Sequence, residues 1–332
     1  MIKIQVAPFN VPFSRRRQTA TVFLWLASLP LTLFVFFLSC TIFFFYPWII
    51  AYLLFVLFDI APENGGRRFA FARNASYWKW YSQYYPIKLV KEVDLDPSKN
   101  YVFGYHPHGV ISVGAWTNFA TEANNFSKLF PGITCRLLTL ATNFNIPLYR
   151  DYLMAQGLAS VSRQSCENIL NKGPGNSIMI VVGGTGESFF ARPGVYDLVL
   201  KKRLGFIKLA IRNGACLVPV FSFGENDIWE QADNPAGSKI WKFQKSIQKI
   251  SGWTLPLLYG RGLFNYNFGV LPHRRQITTI VGKPIDVNKN ENPTEKDLLE
   301  VQKKYIDELY HIWNTYKDEY APNRVKELTL VE

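Results

Sequence analysis

Histidine and cysteine are scarce in this chain, and the scarcity narrows its chemistry. Among 332 residues there are only four of each. Cys40, Cys135, Cys166 and Cys216 are scattered through apolar runs without paired spacing. A disulfide framework is therefore not expected; buried thiols in a reducing compartment are. Zinc sites usually take three or four protein ligands, and His273 and His311 stand in separate, charged surroundings, so no metal is expected. No G-x-S-x-G elbow occurs, which removes the usual α/β-hydrolase nucleophile. Neither G-x-G-x-x-G nor a phosphate loop ending in Gly-Lys-Ser/Thr occurs, so a nucleotide cofactor is not expected either. The formal charge of +12 suits an anionic partner, but no RNP or zinc-finger pattern directs it to nucleic acid.

Charge itself is missing from one long stretch. From Thr19 to Phe58 there are forty residues without a charged side chain. A bilayer span needs ~20 apolar residues, and the apolar part of a signal peptide runs to roughly 15. Pro30 and Pro47 interrupt the run, and Ser39-Cys40-Thr41 is its least apolar middle. Two tightly joined helices, a membrane hairpin over 19–61, are the expected result. Arg15, Arg16 and Arg17 precede the run and Arg67, Arg68 and Arg73 follow it. By the positive-inside tendency both ends stay cytosolic, which a hairpin satisfies and a single span does not.

The expected organisation is a basic N-terminus over 1–18, the hairpin, a connector over 62–96 and a cytosolic domain over 97–332. The connector carries Trp78, Trp80, Tyr84, Tyr85 and several lysines. It reads either as a segment at headgroup level or as a core helix closed by Pro86. Beyond it, β-prone runs at Tyr101–Tyr105, Ile133–Ala141, Gly157–Val161, Ser177–Val182, Ala215–Phe223 and Gln276–Val281 alternate with helix-like segments. An amphipathic stretch from Thr294 to Tyr320 places Leu298, Tyr305, Leu309, Ile312 and Trp313 on one face. This alternation predicts an α/β domain built on a largely parallel sheet flanked by helices. In such sheets working groups gather at the carboxyl ends of strands.

Three constellations lie at such places. His106-Pro107-His108-Gly109 follows the run Tyr101–Tyr105, and half of the histidines sit there. An imidazole with an unperturbed pKa of ~6.5 suits a general base. Gly183-Gly184-Thr185-Gly186 follows another apolar run and presents Glu187, a candidate to orient or tune a histidine. The small loop offers backbone N–H groups to an oxyanion. Lys201, Lys202 and Arg203 open a basic segment suited to phosphates.

At these residues the chain resembles the type-2 diacylglycerol acyltransferase family, which includes monoacylglycerol and wax-alcohol acyltransferases. Tyr84-Tyr85-Pro86, His106-Pro107-His108-Gly109, Gly183-Gly184 with Glu187, Arg192-Pro193-Gly194 and the block from Arg203 to Glu225 occur in the family's order. Phe23-Leu24-Trp25-Leu26 up to Leu29-Pro30 resembles its neutral-lipid-binding pattern. The resemblance implies acyl transfer from acyl-coenzyme A, as co-substrate without a separate cofactor, to diacylglycerol, giving triacylglycerol. It implies catalytic roles for His108, His106 and Glu187. Gly109, Gly183, Gly184, Arg192, Lys201, Lys202 and Arg203 fall to coenzyme A or the oxyanion. It places the enzyme in the endoplasmic reticulum membrane with a cytosolic catalytic domain, and at the lipid-droplet surface. The bilayer is an expected partner, and a homo-oligomer is left open. A monoacylglycerol or wax-alcohol acyltransferase, or a non-catalytic lipid-droplet scaffold, are the alternatives.

One departure matters. Glycerol-phosphate acyltransferases follow their histidine five positions later with aspartate; here those positions hold Ile111 and Val113. The base imidazole must then be held from elsewhere, and Glu187 is the expected partner.

Overall fold

The structure is a computed structural model that describes residues 4–331 apart from 236 and 255. Eleven strands are numbered in chain order. The main sheet holds β1 (Lys88–Lys91), β2 (Tyr101–His106), β3 (Thr134–Thr139), β4 (Ala159–Ser160), β5 (Asn176–Val181), β7 (Cys216–Phe223) and β10 (Thr278–Val281), in the order β1-β10-β7-β2-β5-β3-β4. Two small ribbons pair β6 (Asp197–Val199) with β11 (Thr329–Val331), and β8 (Glu230–Gln231) with β9 (Leu258–Tyr259).

From β7 through β4 all neighbours are parallel, whereas β10 runs antiparallel to β7 and carries β1 parallel to itself. The sheet is therefore mixed and mostly parallel. β2 and β7 are buried along their whole length, as continuous apolar runs covered on both faces must be. Tyr101, Phe103 and Tyr105 point to one core layer with Trp78 and Trp116. Val102 points to the other, with Ile207, Tyr305 and Trp313.

That second layer is closed by the helix Glu295–Tyr320, which starts at a capping box between Thr294 and Asp297. Leu298, Tyr305, Leu309, Ile312 and Trp313 are all buried, so the 3.6-residue periodicity identified the inward face. Within 62–96, Trp78, Tyr81, Tyr84 and Tyr85 are buried, and the Tyr84 hydroxyl donates to the Pro272 carbonyl at 2.6 Å. The helix Ser76–Tyr84 is thus a core helix, and the segment also contributes β1.

The uncharged run departs from the expected pair of helices. It forms three: α1 (Phe13–Leu26), α2 (Ser28–Cys40) and α3 (Tyr46–Phe58). Pro30 and Pro47 stand in the first turns of α2 and α3, where a missing N–H costs no hydrogen bond, so they start helices rather than split one. α1 and α2 bend by 60° at Ala27. α1 joins the globular body: Val22 is buried, and Trp25 meets Tyr81 and Trp116 edge-on at 5.2 and 5.4 Å. α2 and α3 bury no residue and expose Phe34, Phe37, Trp48, Leu57 and Phe58, with Phe43 exposed between them. Among the described residues no single helix is long and apolar enough to cross a membrane, although the bent pair α1–α2 meets that test by length and composition. The foot of α3 is tied to the body: Asp59 bridges Arg67 at 2.6 Å and Arg150 at 2.7 Å.

Candidate active site

β2 ends at His106, whose side chain is fully buried. Its Nε2 lies 3.0 Å from the Tyr305 hydroxyl, which donates to the Gly104 carbonyl at 3.0 Å. A carbonyl only accepts, so the single Tyr305 proton is committed and His106 Nε2 must carry the hydrogen. Nδ1 is then a bare lone pair, and it has no hydrogen-bond partner. Burial pushes the His106 pKa down to about 3, so the ring is neutral.

His108, two residues on, is half-buried. Its Nδ1 lies 3.1 Å from the Gly109 carbonyl and 3.0 Å from Ser188 Oγ. Ser188 Oγ in turn donates to the Val110 carbonyl at 3.3 Å. By the same reasoning Nδ1 carries the hydrogen and Nε2 keeps its lone pair. Burial lowers the His108 pKa below its ordinary value, and the Gly109 carbonyl pulls it partly back. Near neutral pH the imidazole is uncharged, with its basic nitrogen free of protein partners among the described residues.

Glu187 does not hold this imidazole. Its Oε2 accepts the backbone N–H of His108 at 2.7 Å, and Oε1 accepts that of Val199 at 2.7 Å. The carboxylate positions the chain that bears His108, while the ring is held by Ser188, the next residue. Sequence reasoning placed Glu187 beside the histidine and missed the hydroxyl adjoining it. A residue at the end of the Gly184–Ser188 turn, one step past the glutamate, was the available signal. Burial pushes the Glu187 pKa up to about 7, against two N–H donors that favour the ionised form.

The two glycines before it have different duties. A Cβ on Gly183 would fall 1.8 Å from the Glu187 carboxyl carbon, so the absent side chain is what lets the carboxylate sit there. Gly184 has φ +59° with open space around it and serves the turn.

A second buried carboxylate was not anticipated. Glu225, just past β7, accepts from the backbone N–H of Val113 at 2.6 Å and of Gly114 at 2.9 Å, and from the Tyr105 hydroxyl at 2.7 Å. A Cβ on Gly109 would lie 2.7 Å from its Cγ. Glu187 and Glu225 therefore grip the two ends of the loop 108–114. Burial raises Glu225 to about 7 as well. Its signal was Gly224-Glu225 closing an apolar run.

The basic candidates separate. Arg203 reaches the Gly183 carbonyl at 3.4 Å and so joins the site. Lys201 and Lys202 are exposed in the turn just before it. Arg192 instead pairs with Asp233 at 3.0 Å. All four cysteines are free. Burial pushes Cys135, Cys166 and Cys216 up to about 12, which leaves no thiolate for nucleophilic chemistry there.

A family model described as "Diacylglycerol acyltransferase" matches residues 36–331. Over 334 residues the chain is 53% identical to a protein of Umbelopsis ramanniana named diacylglycerol O-acyltransferase 2B, covering 99% of this chain and 96% of that one. It is 45% identical over 328 residues to 2-acylglycerol O-acyltransferase 1 of Bos taurus, covering 96% of this chain and 97% of that one. A crystal structure of the 1-acyl-sn-glycerophosphate acyltransferase PlsC from Thermotoga maritima aligns at TM-score 0.40 and 14% identity, covering 90% of this chain and 97% of that chain. The fold assignment rests on the strand order and not on that distant likeness. With a family match spanning the sheet, both histidines and both carboxylates, the chain belongs to the diacylglycerol acyltransferase family.

Proposed function

We propose that the protein transfers the acyl group of an acyl-coenzyme A to the free hydroxyl of a diacylglycerol, with His108 as general base. The observation that carries this reading is the state of His108: Nδ1–H fixed by Ser188 and Gly109, Nε2 free, and the ring neutral. Nε2 takes the hydroxyl proton as the oxygen attacks the thioester carbonyl. The tetrahedral oxyanion collapses, the carbon–sulfur bond breaks, and the proton passes to the departing thiolate. Triacylglycerol and free coenzyme A result. Backbone N–H groups at Gly109 or along Gly183–Gly186 stabilise the oxyanion. Arg203, with Lys201 and Lys202, meets the coenzyme A phosphates. His106, sealed beneath the loop and bonded to Tyr305, supports the turn rather than the proton transfer.

Membrane attachment belongs to the same proposal. α2 and α3 are apolar, 13 residues each, and have no fully buried residue, Tyr52 reaching the body through Asp151 and Leu148. At 1.5 Å per residue each reaches ~20 Å against a hydrocarbon core of ~30 Å, which suits insertion into one leaflet. Exposed aromatic surface on this scale marks a site of interaction with a membrane or a partner. The site then faces the cytosol from the endoplasmic reticulum or a lipid-droplet surface, with a soluble donor on one side and a lipid acceptor on the other.

Replacing His108 with alanine in a membrane preparation tests the reading. Loss of a general base removes ~10²–10⁴-fold in rate. Normal triacylglycerol synthesis by His108→Ala would end the assignment. A monoacylglycerol acceptor is the second reading, favoured by the likeness to a 2-acylglycerol acyltransferase. Labelled acyl-coenzyme A offered with each acceptor separately decides between them.

A further inference from the structure

At the edge of the sheet, away from the histidine loop, three ligand-type side chains converge. Glu92 directly follows β1, and its backbone N–H bonds to the Val281 carbonyl at the end of β10 at 3.0 Å. Glu308 and His311 lie three residues apart on the C-terminal helix, hence on one face. One donor atom from each of the three falls within 4.8 Å of the others.

Glu92 is what makes this more than a surface cluster. Its side chain is only 7% exposed, and its Oε2 has no hydrogen-bond partner. An unpaired buried carboxylate oxygen is costly, and a second carboxylate beside it adds repulsion. Burial and the neighbouring Glu308 both raise the Glu92 pKa. His311 Nε2 stands 3.7 Å from Glu92 Oε1, too far for a hydrogen bond. Glu308 Oε1 is steadied by the Lys283 backbone N–H at 3.0 Å. The Lys283 ammonium and the Tyr316 hydroxyl also face Glu92. The 3.7 Å between Glu92 Oε1 and His311 Nε2 is a separation that two ligands of one ion can take, since metal–oxygen and metal–nitrogen bonds run ~2.0–2.2 Å.

We propose that Glu92, Glu308 and His311 bind one divalent cation of the borderline class that zinc represents, clipping the β1–β10 edge to the C-terminal helix. Two carboxylates and an imidazole, completed by water, are a zinc-type donor set. The half-exposed His311 gives the ion a way in, at 47% exposure. Glu308 lies one turn beyond Tyr305, whose hydroxyl holds His106 and Gly104. The cation therefore steadies the turn of helix that supports the end of β2.

The test uses the purified full chain in detergent, stripped with a chelator and titrated with Zn²⁺ alone. Retained metal and melting temperature are followed. The expected result is one zinc per chain beyond what the variants keep, with a rise in melting temperature. His311→Ala and Glu92→Gln are each expected to weaken zinc binding at least tenfold and to abolish that rise. His273→Ala, which removes a different glutamate-paired histidine, is expected to leave both unchanged. Metal-free Glu92→Gln separates a cation site from a plain ion pair. Relief of repulsion should hold or raise its melting temperature, whereas loss of a Glu92–His311 pair would lower it. Zinc binding that persists in both variants, no thermal response in the parent chain, or a lowered melting temperature in metal-free Glu92→Gln would each overturn the proposal.

Discussion

Ser188 Oγ lies 3.0 Å from Nδ1 of His108, so the imidazole is held by a neutral hydroxyl and a backbone carbonyl rather than by a carboxylate. A hydroxyl fixes the ring without the charge stabilisation a carboxylate would give the imidazolium. Burial accordingly wins, and the pKa of His108 lies below its ordinary value.

Removing that hydroxyl should loosen the ring without emptying the site. Ser188→Ala leaves Gly109 as the remaining acceptor, and one neutral hydrogen bond contributes ~0.5–1.5 kcal/mol. The expected outcome is a fall in kcat of about tenfold or less with KM little changed. Ser188→Asp would supply the missing carboxylate and raise the His108 pKa, moving the acid limb of the rate profile upward. Steady-state rates across pH, with one acceptor, read both effects.

Glu187 gives the unmodified protein its own pH dependence. Its folded pKa of about 7 is above its ordinary 4.5, and Glu225 is raised to about 7 in the same way. The folded state thus holds more protons than the unfolded state between those values. Stability therefore falls as pH rises from about 4.5 through about 7, and levels off above. Activity runs the other way. Protonation of Glu187 weakens its hold on the His108 backbone, while His108 itself stays neutral to below ~6.5. kcat/KM is expected to fall on acidification through about pH 7. Glu187→Gln should be slower at high pH and show a shallower fall on acidification, the part that Glu225 imposes from the other end of the loop remaining. An unchanged profile in that variant would place the ionisation elsewhere.

How much of this was legible beforehand follows from the kind of interaction involved. The face of the C-terminal helix, the strands β2, β3, β4, β5, β7 and β10 and the histidine loop were readable because periodicity and apolar runs are local signals, whereas β1 and the short ribbon strands were not. The break in the uncharged run was readable at Ser39-Cys40-Thr41, since α2 ends at Cys40. The bend at Ala27 was not, because it depends on Trp25 docking against Tyr81 and Trp116. Glu187 was identifiable, but its role was not. A carboxylate at a strand end reaches a ring or a backbone N–H equally well, and only the approach at Gly183 decides which. Glu225 and Ser188 act across more than seventy residues of chain, a range over which sequence spacing carries no geometry.

That approach makes the paired glycines unequal. Gly183→Ala would drive a methyl into the Glu187 carboxyl carbon, 1.8 Å away, and must displace it. Loss of a buried, doubly bonded carboxylate from its seat costs several kcal/mol, so activity and folding yield should both collapse. Gly184→Ala meets no atom within 4 Å and bears only the left-handed φ of +59°, a cost of ~1–2 kcal/mol. It should keep measurable activity with a lowered melting temperature, and Gly184→Asn should recover part of the loss. Similar damage at both positions would show that the turn, not the carboxylate, is what the glycines protect.

The placement of α2 and α3 can be read with a thiol already in the chain. Cys135, Cys166 and Cys216 are buried, and burial pushes each up to about 12, so they resist alkylation. Cys40 is partly exposed, at the last residue of α2, next to the break before α3. It is therefore the thiol that a reagent should find first in the folded protein. If the two helices dip into one leaflet, Cys40 at the end of α2 lies below the headgroups, out of reach of a charged reagent. A charged, membrane-impermeant maleimide should then leave Cys40 unmodified from either side of sealed microsomes. The same reagent should modify one site per chain after detergent, and Cys40→Ser should abolish that signal. Labelling from the luminal side alone would mean that the pair crosses the whole bilayer. Labelling from the cytosolic side alone would mean that it lies on the surface, and either result would overturn insertion into a single leaflet.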